Sequence, residues 1–155
     1  MRPVARGDIV LVPFPFTDLS VTARRPAVVL WADPDQRDFT LAFISSQQVR
    51  QTAVGEVALL PTHPEFPMTG LSVASTIRAV KLVTLSRSLL RRWVGRLGPL
   101  LAADLDRTLV VALNINTVPY REQGRADERA RLAALHRAGG RVALLADLGI
   151  PLDGS

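Results

Sequence analysis

The hydrophobic pattern of the chain changes its period at Pro99, and this change restricts the folds available to it. Before Pro99, short apolar runs are separated by turn residues, as is typical of β-strands. After Pro99, Leu101, Leu105, Leu109 and Leu113 recur at the spacing of one helix face. Strands followed by one long helix predict an α+β fold, with a small and mostly antiparallel sheet or open barrel against which the helix packs.

The same pattern predicts where the elements and domains begin and end. Strands are expected at 8–16, 26–32, 39–46, 55–60, 71–76, 77–85 and 91–98, with a helical turn at 86–90 and the long helix over 99–115. The stretch NTVPYREQG interrupts the helical pattern, and a short second helix follows, capped by Asp127 and ended by Gly139 and Gly140. We therefore expect a main domain over 1–118 and a C-terminal appendage over 119–155.

The composition favours an anionic partner. The 155 residues include 19 Lys and Arg against 14 Asp and Glu, a net charge of +5, and Lys81 is the only lysine. Such a balance favours nucleic acid or an acidic protein as partner. The chain has no cysteine, no apolar run long enough to cross a bilayer and no secretory signal at its N-terminus. We expect a soluble, cytoplasmic protein that does not associate with membranes.

Common catalytic motifs are absent from the sequence. No glycine-rich phosphate loop follows a strand, and the two histidines, His63 and His136, lie far apart in the chain. The acidic residues are scattered rather than grouped for two-metal catalysis. An enzyme built from this chain is expected to use no metal and no cofactor, and to depend on arginine.

Two adjacent arginines end the polar stretch that precedes a buried strand. Arg24 and Arg25 stand directly before Pro26, where a loop meets the apolar run PAVVLWA. A loop gives access to a ligand, and the strand that follows it fixes position. Solvated surface residues are the alternative interpretation of such a pair.

Three segments resemble one family in the same order. The opening RGDIVLVPFPFTDLSVTARRPAVVL is similar to that of the MazF/PemK family of toxin endoribonucleases. The segment AFISSQ, 42–47, resembles the end of the third strand of that family, and LSVASTIRAVKLVTL, 71–85, resembles the segment before its last helix. The resemblance extends over about residues 6–115.

The resemblance implies a fold, an activity and partners. Members form a small SH3-like barrel with a C-terminal helix, dimerise, cleave single-stranded RNA without metal, and are inhibited by a small acidic antitoxin in a type II toxin–antitoxin system. The family's arginine before proline corresponds to Arg25, and its strand-end hydroxyl corresponds to Ser45. These two are the expected catalytic residues. The expected RNA-binding residues are Arg24, Ser46, Gln47 and Arg78.

The chain departs from the family at two positions near Arg78. Many members have acidic residues three positions before and three positions after this arginine, where the chain has Ser75 and Lys81. The carboxylate base of some relatives therefore has no counterpart there. In metal-free cleavage the 2′-hydroxyl attacks the adjacent phosphorus, and we expect Arg25 to stabilise the charge that develops. The general base stays open among Asp18, Glu56 and His63.

Alternative interpretations stay open at the level of residues and of function. Ser45 could cap a turn, Arg78 could pair with an acidic residue, and Trp93 in the arginine-rich segment 87–96 is more often a core residue than a stacking platform for RNA. The whole protein could instead be a gyrase inhibitor like the related CcdB toxins, or an inactive relative that only binds antitoxin. The Arg-Pro and ISSQ matches favour the nuclease.

Overall fold

Six antiparallel strands form one sheet in the order β4-β5-β3-β2-β1-β6 in this computed structural model. The structure describes residues 2–14, 23–49 and 54–139. Within them the strands are β1 (Asp8–Pro13), β2 (Arg24–Ala32), β3 (Asp38–Ser45), β4 (Glu56–Leu59), β5 (Ser75–Ser86) and β6 (Arg92–Arg96). The α-helices are α1 (Pro99–Ala112) and α2 (Val118–Gly139), and short 3-10 turns span Phe66–Thr69 and Arg87–Leu89.

Interruptions of the strand register curl the sheet into a half-barrel. In the β3–β5 pair, Ala42 lies opposite Leu82 whereas Phe43 lies opposite Arg78, so residues 79–81 form a bulge in β5. Smaller shifts occur between Ile9 and Val10 and between Val29 and Trp31. Bulges bend a strand and increase its twist, which explains the curl.

The two faces of the sheet bury separate hydrophobic clusters. Because successive side chains of a strand point to opposite faces, Val28 and Leu30 of β2 pack in one cluster while Ala27 and Val29 pack in the other. The first cluster includes the stripe Leu101, Leu105 and Leu109 of α1. This arrangement confirms the expected α+β fold, an antiparallel open barrel with a packed helix.

Several element boundaries differ from those expected. One strand, β5, stands where strands were predicted at 71–76 and 77–85. It begins only at Ser75, so residues 71–74 are not in a strand, and its irregularity is the bulge at 79–81 rather than a break before residue 77. Helix α1 ends at Ala112 rather than at residue 115. Helix α2 begins at Val118, inside the stretch that was predicted to separate the two helices. Pro119 does not prevent this, because proline is compatible with the first turn of a helix. Residues 15 and 16 of the first predicted strand, and Gly140, lie outside the described residues.

A distant glutamate caps the N-terminus of α1. Glu65 is buried, and its two carboxylate oxygens accept hydrogen bonds from the backbone N–H groups of Leu100 and Leu101, each at 2.9 Å. The N-cap position itself is Gly98, which offers no side chain. The acidic cap that helices usually take from their own sequence therefore comes here from the loop before β5.

The chain divides into two units, Met1–Ile115 and Asn116–Ser155. The first contains the sheet and α1, and the second contains α2. The side chains of residues 124–134 in α2 are all exposed. No helix in the described part of the chain is long and apolar enough to cross a membrane.

Candidate functional site

Two adjoining cavities, of about 350 and 250 Å³, share four lining residues: Arg25, Ile44, Ser45 and Gln47. The larger cavity is also lined by Arg24, Pro26, Ser46, Leu71, Ser72, Val73 and Ser75. The smaller cavity is also lined by Phe14, Phe43, Gln48, Arg78 and Lys81. Because they share these residues, the two cavities form one surface, which we call the arginine groove. It contains all six residues predicted to form the site.

Strand pairing brings these residues together. Ala27 of β2 lies opposite Phe43 of β3, and Phe43 lies opposite Arg78 of β5. Directly opposite residues share a face of the sheet, as do residues two apart along a strand. Arg25 lies two residues before Ala27 and Ser45 two residues after Phe43, so both lie on the face that carries Arg78.

Aromatic side chains support Arg25. Its guanidinium carbon lies 4.4 Å from the centroid of the Phe14 ring, a cation–π distance. Phe14 in turn packs edge-on against Phe43, with ring centroids 5.8 Å apart. Within residues 2–14, 23–49 and 54–139, no carboxylate forms an ion pair with Arg24 or Arg25, so neither is neutralised by that part of the protein.

Ser45 has a local structural contact as well as a place in the groove. Its Oγ accepts a hydrogen bond from the backbone N–H of Gln47 at 3.2 Å, the turn-capping role that was the alternative interpretation. The hydroxyl proton is not used in that bond and can be donated to a ligand. Ser46 and Gln47 follow Ser45 with exposed side chains.

Arg78 pairs with an acidic residue at the edge of the groove. Oε1 of Glu56 accepts hydrogen bonds from Nε and Nη2 of Arg78, at 3.1 and 3.0 Å. The side chain of Glu56 is 14% exposed and that of Arg78 is 35% exposed. Arg78 lines the smaller cavity, whereas Glu56 lines neither part of the groove.

The three candidate bases lie in different surroundings. Asp18 lies outside the described residues. Glu56 is bonded to Arg78. His63 lines neither cavity, and its Nδ1 accepts a hydrogen bond from the backbone N–H of Glu65 at 3.0 Å, beside the residue that caps α1. The structure therefore brings none of the described candidates into the groove.

The positions that depart from the family pattern both line the groove. Ser75 is buried in the larger cavity, and its hydroxyl donates a hydrogen bond to the Val73 carbonyl at 2.9 Å. Lys81 is exposed in the smaller cavity, at the end of the β5 bulge. The two positions at which the resemblance led us to expect acidic residues thus hold a hydroxyl and a cation.

Ten further residues that the sequence did not assign to the site line the groove, and four of them belong to its smaller cavity alone: Phe14, Phe43, Gln48 and Lys81. Lys81 had a signal, since it is the only lysine and lies beside Arg78 in a matched segment. The two phenylalanines had none, because an apolar residue in a strand predicts core equally well. Gln48 has φ +50°, a left-handed turn conformation that is uncommon for glutamine and could not be predicted from its residue type.

Trp93 is not the core residue that the sequence favours. It is 38% exposed and the guanidinium of Arg2 lies 4.5 Å from its ring centroid. The reason is its place on β6, which is the last strand in the described sheet and has β1 as its one partner among the described strands. It lines neither part of the arginine groove.

A metal-binding arrangement is not found in the described ranges, where no three His, Asp or Glu side chains are grouped so that they could hold an ion.

Comparison with known families identifies the chain. Residues 5–113 match a family described as PemK-like, MazF-like toxins of type II toxin–antitoxin systems. The chain belongs to this family. The match includes every residue of the arginine groove, and it confirms the resemblance seen in the sequence. No curated protein sequence matches the chain.

Solved structures of such toxins share the fold at low sequence identity. An endoribonuclease from a mycobacterial species, in complex with its cognate antitoxin, superposes with a TM-score of 0.56 and 16% identity over 73% of this chain and 97% of that one. The Mycobacterium tuberculosis toxin MazF-mt6 superposes with a TM-score of 0.55 and 19% identity, over 72% of this chain and 99% of that one. MazF from Deinococcus radiodurans superposes with a TM-score of 0.53 and 21% identity, over 73% of this chain and 97% of that one. At these identities the likeness shows the fold.

Proposed function

We propose that this toxin is an endoribonuclease that cuts single-stranded RNA, with the arginine groove as its active site. The observation that carries the proposal is the meeting of Arg25, Ser45 and Arg78, from three different strands, on adjoining cavities. Guanidinium groups and a hydroxyl are hydrogen-bond donors suited to a phosphodiester. Membership of the MazF-like toxins and a structural relative described as an endoribonuclease support the same activity.

The proposed reaction uses the RNA, the hydrogen-bond donors of the groove and a general base, and it involves no metal. The 2′-oxygen attacks the adjacent phosphorus, so that a 2′-O–P bond forms and the P–O5′ bond breaks. The proton of the 2′-hydroxyl passes to a base, and the departing 5′-oxygen takes up a proton. The products are a 2′,3′-cyclic phosphate and a 5′-hydroxyl end.

The groove residues have distinct roles in this scheme. Arg25 donates to the non-bridging oxygens on which negative charge builds, and one such donor commonly contributes about 3 kcal/mol. A guanidinium group stays charged, so Arg25 is not the base. Ser45 donates its hydroxyl proton to a phosphate oxygen. Arg24, Ser46, Gln47 and Arg78 bind the RNA on either side of the scissile phosphate.

The proposal includes two protein partners. The first is a second copy of the chain: α1 leaves Val111, 69% exposed, and Leu100, 58% exposed, beyond the stripe that packs on the sheet. The second is a small acidic antitoxin, because the net charge is +5 and the first solved relative is in complex with its cognate antitoxin. The segment 119–155 is proposed to be an appendage that the toxin fold of 1–118 does not need.

The test is cleavage of a long single-stranded transcript in excess EDTA, with the cut ends mapped. The parent is expected to cut and to leave 2′,3′-cyclic phosphates. Arg25→Ala is expected to cut at least about a hundredfold more slowly, the equivalent of one charge-stabilising donor. Arg37→Ala is the matched control, because Arg37 is exposed and pairs with Asp35 outside the groove.

Purifying all variants identically guards against a contaminating nuclease. A parent that leaves RNA intact is an inactive relative or a gyrase inhibitor, and a gyrase supercoiling assay separates these two. If Arg25→Ala cuts as fast as the parent, the groove is not the active site. If EDTA stops the parent, the metal-free scheme is wrong.

A further inference from the structure

We propose that Glu56 is a positioning residue for RNA binding, which holds the guanidinium of Arg78 so that its free edge meets an RNA phosphate in the smaller cavity. The inference rests on the proposed function and names the role of one further residue in it. In this role Glu56 is not the general base.

The pair is fixed by the sheet and by its own geometry. Glu56 of β4 lies directly opposite Arg78 of β5. One carboxylate oxygen of Glu56, Oε1, accepts from both Nε and Nη2 of Arg78, at 3.1 and 3.0 Å. This contact occupies one edge of the guanidinium group. The Nη1 hydrogens and the second Nη2 hydrogen stay available, and a phosphate can accept from them side by side.

The burial of the two side chains shows which of them can meet RNA. Arg78 is 35% exposed and lines the smaller cavity with Arg25 and Lys81. Glu56 is only 14% exposed and lines neither part of the groove. A base must come within hydrogen-bond reach of the 2′-hydroxyl. A carboxylate that lies behind the guanidinium and already accepts two bonds is poorly placed for that task.

Fixing Arg78 in advance strengthens RNA binding because a free arginine has many rotamers to lose. Ordering a rotamer-rich side chain opposes binding, and a side chain that is already held avoids most of that loss. A second effect acts in the opposite direction, because the negative charge of the Glu56 carboxylate offsets one positive charge near the groove. Salt weakens the long-range attraction between RNA and the net charge, whereas it leaves the contact geometry unchanged.

The test compares Glu56→Gln, Arg78→Ala and the double variant, with Asp35→Asn as control. Asp35 belongs to an exposed ion pair outside the groove. The substrate is a short single-stranded oligoribonucleotide that spans one cut site mapped with the parent. Steady-state cleavage gives KM and kcat across pH at about 0.15 M salt, where the Debye length is about 8 Å. Binding is measured separately with the same oligonucleotide carrying a 2′-deoxy sugar at the cut.

We expect Glu56→Gln to raise KM and the dissociation constant of the 2′-deoxy oligonucleotide about tenfold, which corresponds to about 1.4 kcal/mol. We expect kcat to stay within about twofold, as for loss of binding that is equal in ground and transition states. In the Arg78→Ala background, Glu56→Gln should have no further effect, because Glu56 acts through Arg78. Glu56→Asp should recover part of the loss, and Asp35→Asn should match the parent.

Three results would overturn the inference. The first is a fall in kcat with loss of the acidic limb of the pH profile, which makes Glu56 the base. The second is a rise in KM and in the dissociation constant on Glu56→Gln in the Arg78→Ala background that is as large as the rise in the parent background. The third is unchanged binding in Glu56→Gln. A parent that binds RNA without cutting it refutes the proposed nuclease activity alone. Binding of the long single-stranded transcript is then compared for the same variants, and that comparison still decides whether Glu56 positions Arg78. Melting temperatures of all variants show whether a loss of binding reflects unfolding. Glu56→Asp serves as the milder variant if Glu56→Gln does not fold.

Discussion

Removing the Glu65 carboxylate is expected to destabilise the unit Met1–Ile115 by about 3 kcal/mol. Its two oxygens accept the N–H groups of Leu100 and Leu101, each at 2.9 Å, and these are donors that have no partner within α1. Each hydrogen bond to a charged group is worth about 1.5–3 kcal/mol. The negative charge beside the helix N-terminus adds about 0.3–1 kcal/mol. Leu100 is 58% exposed, so water can replace part of the loss, and the lower ends of the ranges apply.

The comparison of two variants isolates the cap. Glu65→Ala removes both acceptors, whereas Glu65→Gln keeps one oxygen and is expected to lose about half as much, near 1.5 kcal/mol. Asp104→Ala is the matched control, because Asp104 lies on α1 in an exposed ion pair with Arg107, and such pairs contribute about 0–1 kcal/mol.

Denaturant unfolding followed by tryptophan fluorescence measures these differences. The two tryptophans, Trp31 and Trp93, both lie in Met1–Ile115, so the signal reports that unit. Protein concentration is held constant, because dimerisation would make the midpoint depend on it. Glu65 does not cap α1 if the unfolding free energy of Glu65→Ala lies within about 0.5 kcal/mol of that of the parent, the usual effect of a neutral surface substitution. The same holds if Asp104→Ala lowers the unfolding free energy as much as Glu65→Ala does.

Four further outcomes are expected. Arg25→Lys should recover little of the cleavage lost in Arg25→Ala, since an ammonium group cannot hold two phosphoryl oxygens in one plane; single-turnover rates measure this, and a rate near that of the parent would contradict it. Ser45→Ala should cost less, about 0.5–1.5 kcal/mol in the same assay, because it removes one neutral hydrogen bond. Lys81→Ala should reduce the slope of log binding constant against log salt by about 0.7, as expected for one contact with a single-stranded phosphate; an unchanged slope would remove Lys81 from the RNA path. Light scattering should give the dimer mass at micromolar concentrations, because Val111 and Leu100 are exposed on α1; a monomer mass throughout would exclude the homodimer.

The sequence predicted the fold class and two of the residues that line both cavities of the arginine groove, Arg25 and Ser45. Strand and helix periods depend on residues two to four apart, so they can be read along the chain. Pro99 and the leucines after it placed α1, and alternation placed β2 and β3 with their buried faces. Arg25 and Ser45 could be predicted because each lies at the end of a strand, in a short segment that resembles a motif of the family.

The assembly of the arginine groove depends on contacts that exist only in the folded chain. The bulge at 79–81, the pairing of Glu56 with Arg78 and the capping of α1 by Glu65 each join residues that are distant in the chain. No local period records such contacts, because they depend on which strands lie side by side and in which register. For the same reason Phe14 and Phe43 resembled ordinary core residues, although the folded chain places Phe14 beneath Arg25 and Phe43 against Phe14. Trp93 also resembled a core residue, although the order of the described strands places it on the edge strand β6.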